Sequence, residues 1–431
     1  MSTPFDDPSR LPVRDIMCID CKSFYSSVEA IRRAEYPLAA KIAVLSREES
    51  SGGLILAASP DTKKDYGVKL GTRRFEIEPD MDIELVAPHM GMYVKQNYRI
   101  NQIFRRFTDD DHHYIYSIDE AFVDVSASHA LFGSNREIAH AIQTQVFDET
   151  GIVTTVGIGP NPLMAKLALD NDAKKAAPWV ASWNYDDVPK KLWKIDNLND
   201  FWSIGSKTAI KLEHMGIHNL YDLAHTNRSK LKTKFGVLGD ALYFHAWGID
   251  YSDLADRYTP DDENRGYNNS QILFRDYTTV EDIETILFET ADQVATRLRN
   301  HNVVCTLVSI SIGFSEADGA GHRGWSTQTK IDPSNRTDDI IQATRYLFEN
   351  RWEGEPVRSI GVHVGNVFPD HEYQTSLFEN TDSHENNKKL EHTIDQIRSR
   401  YGYKSIIRGY SKKAAGTAVY RNTNLIGGHQ A

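Results

Sequence analysis

Apolar positions along the chain fall into two rhythms, and their alternation outlines the elements. Ile16-Met17-Cys18-Ile19 is a short apolar run closed by Asp20, the pattern of a strand covered on both faces. Ser23 to Arg33 then places Phe24, Val28 and Ile31 on one side at helical spacing. Ile42 to Leu45 and Leu54 to Ala57 predict short strands around a polar loop, Ser46 to Gly53. Lys63 to Leu70 holds a helix-like turn with Gly67 as its cap. Tyr93 to Phe107 is helical by spacing, with Val94, Tyr98, Ile100 and Phe104 on its apolar side. Two apolar runs, Tyr114-Ile115-Tyr116 and Ala121-Phe122-Val123, flank a polar turn. Arg136 to Glu149 predicts a helix and the β-branched Ile152 to Ile158 a strand. Asn161 is a good N-cap and Pro162 a good first residue for a helix reaching Asp170.

This order of strands and helices predicts an α+β sheet of split βαβ, ferredoxin-like type, with an insertion after its first strand. A break falls near Asp186 to Pro189. Beyond it, Phe201 to Ile217 (FWSIGSKTAIKLEHMGI) reads as a helix-hairpin-helix, whose turn at Gly205 would offer backbone N–H groups to a phosphate, with Lys207 adding charge. Phe235 to Gly239 is a degenerate second copy. Tyr251 to Arg265, polar and proline-bearing, reads as a linker. A second ferredoxin-like pattern follows: strand Gln271–Phe274, helix Val280–Leu298, strands Val303–Phe314 and Arg323–Ile331, helix Arg336–Trp352, strand Arg358–Phe368. The rest, from Pro369, reads as a polar tail.

At 431 residues the chain exceeds one ordinary domain, and three or four are expected. An apolar fraction of 40% and no apolar run near the ~20 residues of a membrane span predict a soluble protein without membrane contact. The N-terminal stretch has no apolar signal core, and three cysteines make no disulfide framework, so a reducing cytoplasm is expected. Cys18 and Cys21 form a C-x-x-C without a second pair, and Cys18 reads as core. The net charge of −11 excludes a protein coated in positive charge but not local binding of nucleic acid. Lys63, Lys64, Lys69, Arg73 and Arg74 form one basic cluster, and the stretch beyond Asn386 is basic.

The stretch around which the chemistry is organised is SIDEAFVDV, Ser117 to Val125. Asp119 and Glu120 stand side by side between apolar runs, and Asp20 ends a separate strand. In a straight strand neighbours point to opposite faces, so both can serve one site only across a turn. Three carboxylates at strand ends suit a hard cation such as Mg²⁺. Lys166 is placed to reach them. In the tail, Gln374-Thr375-Ser376-Leu377-Phe378 offers two apolar residues in polar surroundings, the form of a peptide captured by a partner's pocket.

Four stretches in order carry a family likeness: DCKSFYSSVE from Asp20, SIDEAFVD from Ser117, VGIGPNPLMAKLA from Val156 and IGSKTAIKL from Ile204. With them the chain, from about Asp15 to Phe368, resembles the Y-family lesion-bypass DNA polymerases, closest to their UmuC-like bacterial branch. The resemblance implies a right-hand polymerase with a palm at 1–23 and 89–185, small fingers at 24–88, a helical thumb at 186–250, a linker at 251–265, a ferredoxin-like little finger at 266–370 and a tail at 371–431. It implies Asp20, Asp119 and Glu120 as catalytic ligands of two Mg²⁺ ions, with the backbone carbonyl of Cys21, and Tyr25 as the steric gate against a 2′-hydroxyl. Lys166 would lie near the primer end and the dNTP, and Gln374, Leu377 and Phe378 would bind a sliding clamp. Primer-template DNA is the implied partner, and the sequence does not say whether an accessory subunit is required. Many members grip the triphosphate with a Tyr-x-x-Arg pair; here the aligned residues are Asp61 and Lys64, so Lys64 would contact phosphate with help from Lys63 or Arg73. Two rival readings remain: a catalytically silent relative that binds primer-template and clamp, and a nucleotidyl cyclase sharing the palm.

Overall fold

The structure, a computed structural model, describes residues 8–46, 53–256, 266–317, 319, 321–370, 381–426 and 429–430. They fall into two compact units, Met1–Arg257 and Tyr258–Ala431. Among the described residues no helix is long and apolar enough to cross a membrane.

In the first unit the chain runs β1 (Ile16–Cys21), α1 (Phe24–Arg32), β2 (Ile42–Leu45), β3 (Ile55–Ala58), α2 (Pro60–Tyr66) and β4 (Glu84–Val86). Then come α3 (Met90–Phe104), β5 (His113–Ile115), β6 (Glu120–Asp124), α4 (His129–Phe132), α5 (Asn135–Thr150), β7 (Thr154–Gly159), α6 (Pro162–Ala168) and β8 (Val180–Ser182). The main sheet has the order β5-β6-β1-β7-β8. β1 is therefore central, antiparallel to both β6 and β7. Its side chains alternate between two helical layers. Met17 and Ile19 pack with Ile100, Phe104, Ile138 and Ile142 of α3 and α5, whereas Ile16 and Cys18 pack with Phe122 and Ala165 on the α6 side. Burying each large apolar side chain stabilises by about 1.5–3 kcal/mol, which accounts for the unbroken apolar run.

The motif VGIGPN is explained by the same layering. Val156 and Ile158 face α5, and Gly157 and Gly159 face α6. A Cβ on Gly157 would stand 2.1 Å from the carbonyl oxygen of Ala165, and one on Gly159 2.4 Å from its nitrogen. Only glycine lets α6 lie this close. Asn161 caps α6 by accepting from the Met164 N–H at 2.9 Å, and its amide donates to the Gly248 carbonyl at 2.8 Å, tying the helix start to the helical segment.

That insertion after β1 forms a separate three-stranded sheet, β3-β2-β4, over a small core of Ala43, Leu45, Ile55 and Ala58. The helical segment holds α7 (Ser206–Glu213), α8 (Leu220–His225), α9 (Arg228–Phe235) and α10 (Val237–Ala246) around Leu212, Leu220, Leu231 and Leu242. In the helix-hairpin-helix expected across Phe201–Ile217, the turn at Gly205 leads into α7 as expected, while the limb before it is shorter than an α-helix. The first limb is a pair of 3-10 turns, Leu192–Lys194 and Leu198–Asp200, and the chain is helical only from Ser206. Ser203 at φ 76° breaks any helix through Phe201. Phe235 to Gly239 does join two helices, and Gly239 lets α10 cross α9 closely, since a Cβ there would meet the Leu231 carbonyl at 2.1 Å.

The second unit runs β9 (Tyr267–Tyr277), α11 (Val280–Asn300), β10 (Val303–Phe314), β11 (Gly324–Ser334), α12 (Thr337–Glu349) and β12 (Val357–Pro369). The element sequence is the expected one. The strand order, β11-β10-β12-β9, puts the unit's second and fourth strands in the middle, whereas the first unit's sheet is centred on its first strand, β1. Ile283, Leu287, Ala291, Val294 and Leu298 of α11 face the sheet and are fully buried, whereas Val280, expected on the same face, is 44% exposed at the helix start.

From Thr381 on, the stretch expected as a tail is part of this unit. α13 (Thr381–Tyr401), 3-10 turns at Tyr403–Ser405 and Gly409–Lys412, and α14 (Ala418–Asn424) lie across the polar side of α11. Arg299 of α11 is 1% exposed and binds Glu391 at 3.1 Å and Asp395 at 2.6 Å on α13. Asp292 of α11 accepts from Arg398 at 2.8 Å and Arg408 at 3.0 Å. Glu289 accepts from the N–H groups of Thr417 and Ala418 at 2.8 and 2.9 Å. The basic residues of the C-terminal stretch thus include two that neutralise acids within the unit.

Candidate functional site

Asp20 is the fifth residue of β1 and Glu120 the first of β6, and the two are direct cross-strand partners. Asp119 sits in the turn just before β6, whose carbonyl accepts from the Cys21 N–H at 2.8 Å. The turn resolves the strand-face objection: Glu120 is already in the ladder and points inward, 8% exposed, whereas Asp119 remains in the bend. The three carboxylates expected at the site therefore lie at the same end of the sheet.

Each carboxylate has a partner. Glu120 receives Lys166 Nζ at 2.7 Å and the Cys18 thiol at 2.9 Å, both buried. Asp20 pairs with Lys174 Nζ at 3.1 Å, and Asp119 accepts from Ser117 Oγ at 2.7 Å. Asp170 binds Lys166 at 3.1 Å and Lys174 at 2.9 Å. Burial pushes the Asp20 carboxyl up to about 6; Lys174 works against this, and the charges of Asp119 and Glu120 add to it. For Lys166, burial alone would lower the pKa, but the contacts with Glu120 and the charge of Asp170 outweigh it and raise it.

Beside the carboxylates opens a cleft of about 680 Å³, lined by Asp20, Cys21, Lys22, Ser23, Phe24, Tyr25, Leu56, Ala57, Pro60, Lys63, Lys64, Leu70, Ile118, Asp119 and Lys174. Tyr25 stands in its wall, stacked on Tyr93 at 4.5 Å and 14°. The Tyr93 hydroxyl donates to the fully buried Glu29 at 2.8 Å, so the stack has a fixed base. Cys21 is buried at the cleft, and burial holds its thiol protonated.

Lys166 reaches the carboxylates as expected, binding Glu120 at 2.7 Å, and like Glu120 it is not part of the cleft lining. The lysine that does reach the cleft from that segment is Lys174. It is delivered by a π turn, Leu169–Ala173, in which an extra residue per turn swings it toward Asp20. Its sequence signal was faint, since Lys174-Lys175 reads as an ordinary basic pair. Lys64 lines the cleft as expected, and Lys22 and Lys63 line it with Lys64. Gly205 has extended backbone and caps α7 without a side-chain bond, and both Gly205 and Lys207 are exposed. Gln374, Leu377 and Phe378 lie outside the described residues.

Among the described residues no group of three Asp, Glu, His or Cys side chains is arranged to hold a metal ion. The donor chemistry suits a hard divalent cation all the same: Asp20 and Glu120 are direct cross-strand partners, Asp119 precedes Glu120 in the turn, and all three offer oxygen ligands.

Three family models match the chain: the impB/mucB/samB family over residues 19–170, its HHH motif over 185–217 and its C-terminal domain over 266–377. The Bacillus subtilis (strain 168) protein UvrX, named for UV-damage repair, is 40% identical over 427 residues, covering 99% of this chain and 100% of the relative. DNA polymerase IV 2 of the same strain is 34% identical over 96% of this chain and 98% of its own, and DNA polymerase IV of Moorella thermoacetica 31% over 93% and 97%. A solved Y-family DNA polymerase chimera of Dbh and Dpo4 superposes with a TM-score of 0.64 at 19% identity, covering 82% of this chain and 99% of that one, and so shares the fold. On these matches the chain belongs to the impB/mucB/samB family, the UmuC-like branch of the Y-family DNA polymerases.

Proposed function

We propose that the protein is a DNA-templated DNA polymerase of the lesion-bypass type, adding dNTPs to a primer 3′-hydroxyl with low fidelity. The observation that carries this reading is the cleft itself, with carboxylates at one end, an aromatic wall and lysines along its side. That arrangement suits a ligand with a reacting end, a flat sugar and base, and a polyanionic tail. Asp20, Asp119 and Glu120, with the Cys21 carbonyl, would hold two Mg²⁺ ions, which when bound activate the 3′-hydroxyl and offset charge on the leaving pyrophosphate. Lys166 holds Glu120 in place from behind, and Lys64 and Lys174 add positive charge where the triphosphate would lie. β1, β5–β8 and their helices act as palm, the 24–88 insertion as fingers, 186–250 as thumb and 266–370 as little finger.

DNA would be held through Gly205 and Lys207 at the start of α7. Primer extension by the full chain on an undamaged primer-template with Mg²⁺ tests the reading. Extension is expected; primer-template binding without extension would favour the silent accessory alternative or a required accessory subunit.

Tyr25 would form the floor under the sugar. For Tyr25→Ala, discrimination against ribonucleotides in single-nucleotide kinetics is expected to fall by at least about tenfold, the scale on which a pocket rejects one small group. Unchanged discrimination would remove Tyr25 as the gate.

The Gln374–Phe378 peptide is proposed to bind a sliding clamp. Leu377→Ala with Phe378→Ala is expected to weaken clamp binding in calorimetry by more than about tenfold, as for loss of two anchor residues. Wild-type affinity in the double variant would rule the peptide out.

A further inference from the structure

Three lysines of the cleft lining, Lys22, Lys63 and Lys64, form no ion pair among the described residues, and two of them are fixed by neutral acceptors. Lys22 Nζ donates to the Lys174 carbonyl at 3.2 Å and stands over the Trp179 ring at 5.5 Å. Lys63 Nζ donates to Ser23 Oγ at 2.8 Å. Among the described residues neither forms an ion pair, whereas Lys166 and Lys174, on the same side of the sheet, are each bound by two carboxylates. The partners of Lys22 and Lys63 are neutral acceptors, which fix an ammonium group in space and leave its charge available.

Backbone geometry brings the two together. Ser23 sits at φ 48°, ψ 49°, a left-handed conformation that non-glycine residues seldom adopt. It turns the chain from the end of β1 into the start of α1, so that Lys22, the Ser23 hydroxyl and Tyr25 all line one cleft. The turn is fastened on both sides: Lys22 N–H donates to the Val153 carbonyl at 2.9 Å, and the Ser27 hydroxyl to the Lys22 carbonyl at 2.7 Å. Lys63 comes from α2 on the insertion and meets this turn at the Ser23 hydroxyl. The position where an aromatic residue would serve the triphosphate holds Asp61, which is not part of the cleft lining, and neither lysine belongs to the Asp61–Lys64 pair.

We propose that Lys22 and Lys63, brought together at Ser23, hold the β- and γ-phosphates of the incoming nucleotide beside Lys64 and stand in for the missing aromatic residue of the pair. The proposal rests on the polymerase reading for its substrate. Loss of one charge-assisted hydrogen bond weakens binding by roughly tenfold or more. For Lys22→Gln and for Lys63→Gln the KM for dNTP is therefore expected to rise by about tenfold each, with kcat within about threefold. Inhibition by pyrophosphate should weaken in parallel, because it carries the same phosphates. Lys22→Arg should restore much of the affinity, and the exposed Lys175→Gln should change nothing.

Calorimetry of the full-length protein with inorganic tripolyphosphate separates this assignment from the polymerase reading. If wild type fails to extend primers but binds tripolyphosphate, and both Gln variants lose that binding, the phosphate site stands and the polymerase reading falls. If wild type extends primers and both variants keep wild-type dNTP KM and tripolyphosphate affinity, the assignment is overturned. A raised KM with unchanged pyrophosphate inhibition also overturns it, since the lysines would then act through the shape of the turn.

Discussion

Asp119→Asn is expected to abolish primer extension, lowering the rate by at least about a thousandfold, the upper end of what losing one preorganised electrostatic contact costs. Asp119 is the better of the two neighbouring carboxylates for this test. Its side chain accepts from Ser117 Oγ at 2.7 Å, it lies in the turn before β6, and asparagine fills the same space. Glu120 is different: it is 8% exposed and carries the buried Lys166 at 2.7 Å. Glu120→Gln would leave that ammonium with Asp170 alone, so lost activity there mixes chemistry with folding. The expected pattern is loss of extension in Asp119→Asn with primer-template affinity and thermal unfolding like wild type. Chelation of Mg²⁺ should silence the wild type equally. Extension by Asp119→Asn within tenfold of wild type would remove Asp119 from the reacting centre.

Arg299→Met is expected to destabilise the second unit by about 3–5 kcal/mol, the cost of leaving buried acids without their cation. Arg299 is 1% exposed; besides Glu391 and Asp395 it donates to the Asn335 carbonyl at 2.9 Å and to Thr337 Oγ1 at 3.1 Å. Methionine fills the volume, so the loss reports charge rather than a cavity. Because a chain of two units need not unfold in one step, the measurement is amide hydrogen exchange across α11 and α13. Protection in both helices should fall by roughly 150- to 5,000-fold, the conversion of that free energy. Protection equal to wild type would mean that apolar contacts alone hold α13. Leu390→Ala, at an exposed position of the same helix, serves as the control.

The contrast between these two sites shows what the sequence could disclose. The strands that carry Asp20 and Glu120 were legible because β1 and β6 are short apolar runs, and because the Gly157/Gly159 spacing leaves one face of β7 open to a helix. The meeting of Asp20 with Glu120 followed from that arrangement. Lys174 was not legible, since a π turn shifts its direction by one residue and no periodicity reports it. Nor was the role of the C-terminal stretch. Glu289, Asp292 and Arg299 lie along one side of α11, and a charged stripe on a helix reads as a face turned to water. Only the fold reveals that complementary charges from Glu391 to Ala418 cover it. The strand order of the second sheet was equally hidden, because one element sequence is compatible with either pair of strands in the middle.

The Arg299 network has a consequence for synthesis. Arg299 and its partners Glu391 and Asp395 are 92 and 96 residues apart in the chain. At about 5–20 residues per second, roughly 5–20 s pass between the translation of α11 and that of its counter-charges. The sheet β9–β12 is complete in sequence at Pro369, before these counter-charges are made, and at that point α11 still presents an arginine and two acids whose C-terminal partners are missing. A ribosome stalled before residue 391 would therefore carry the sheet without the charges that cover the outer side of α11.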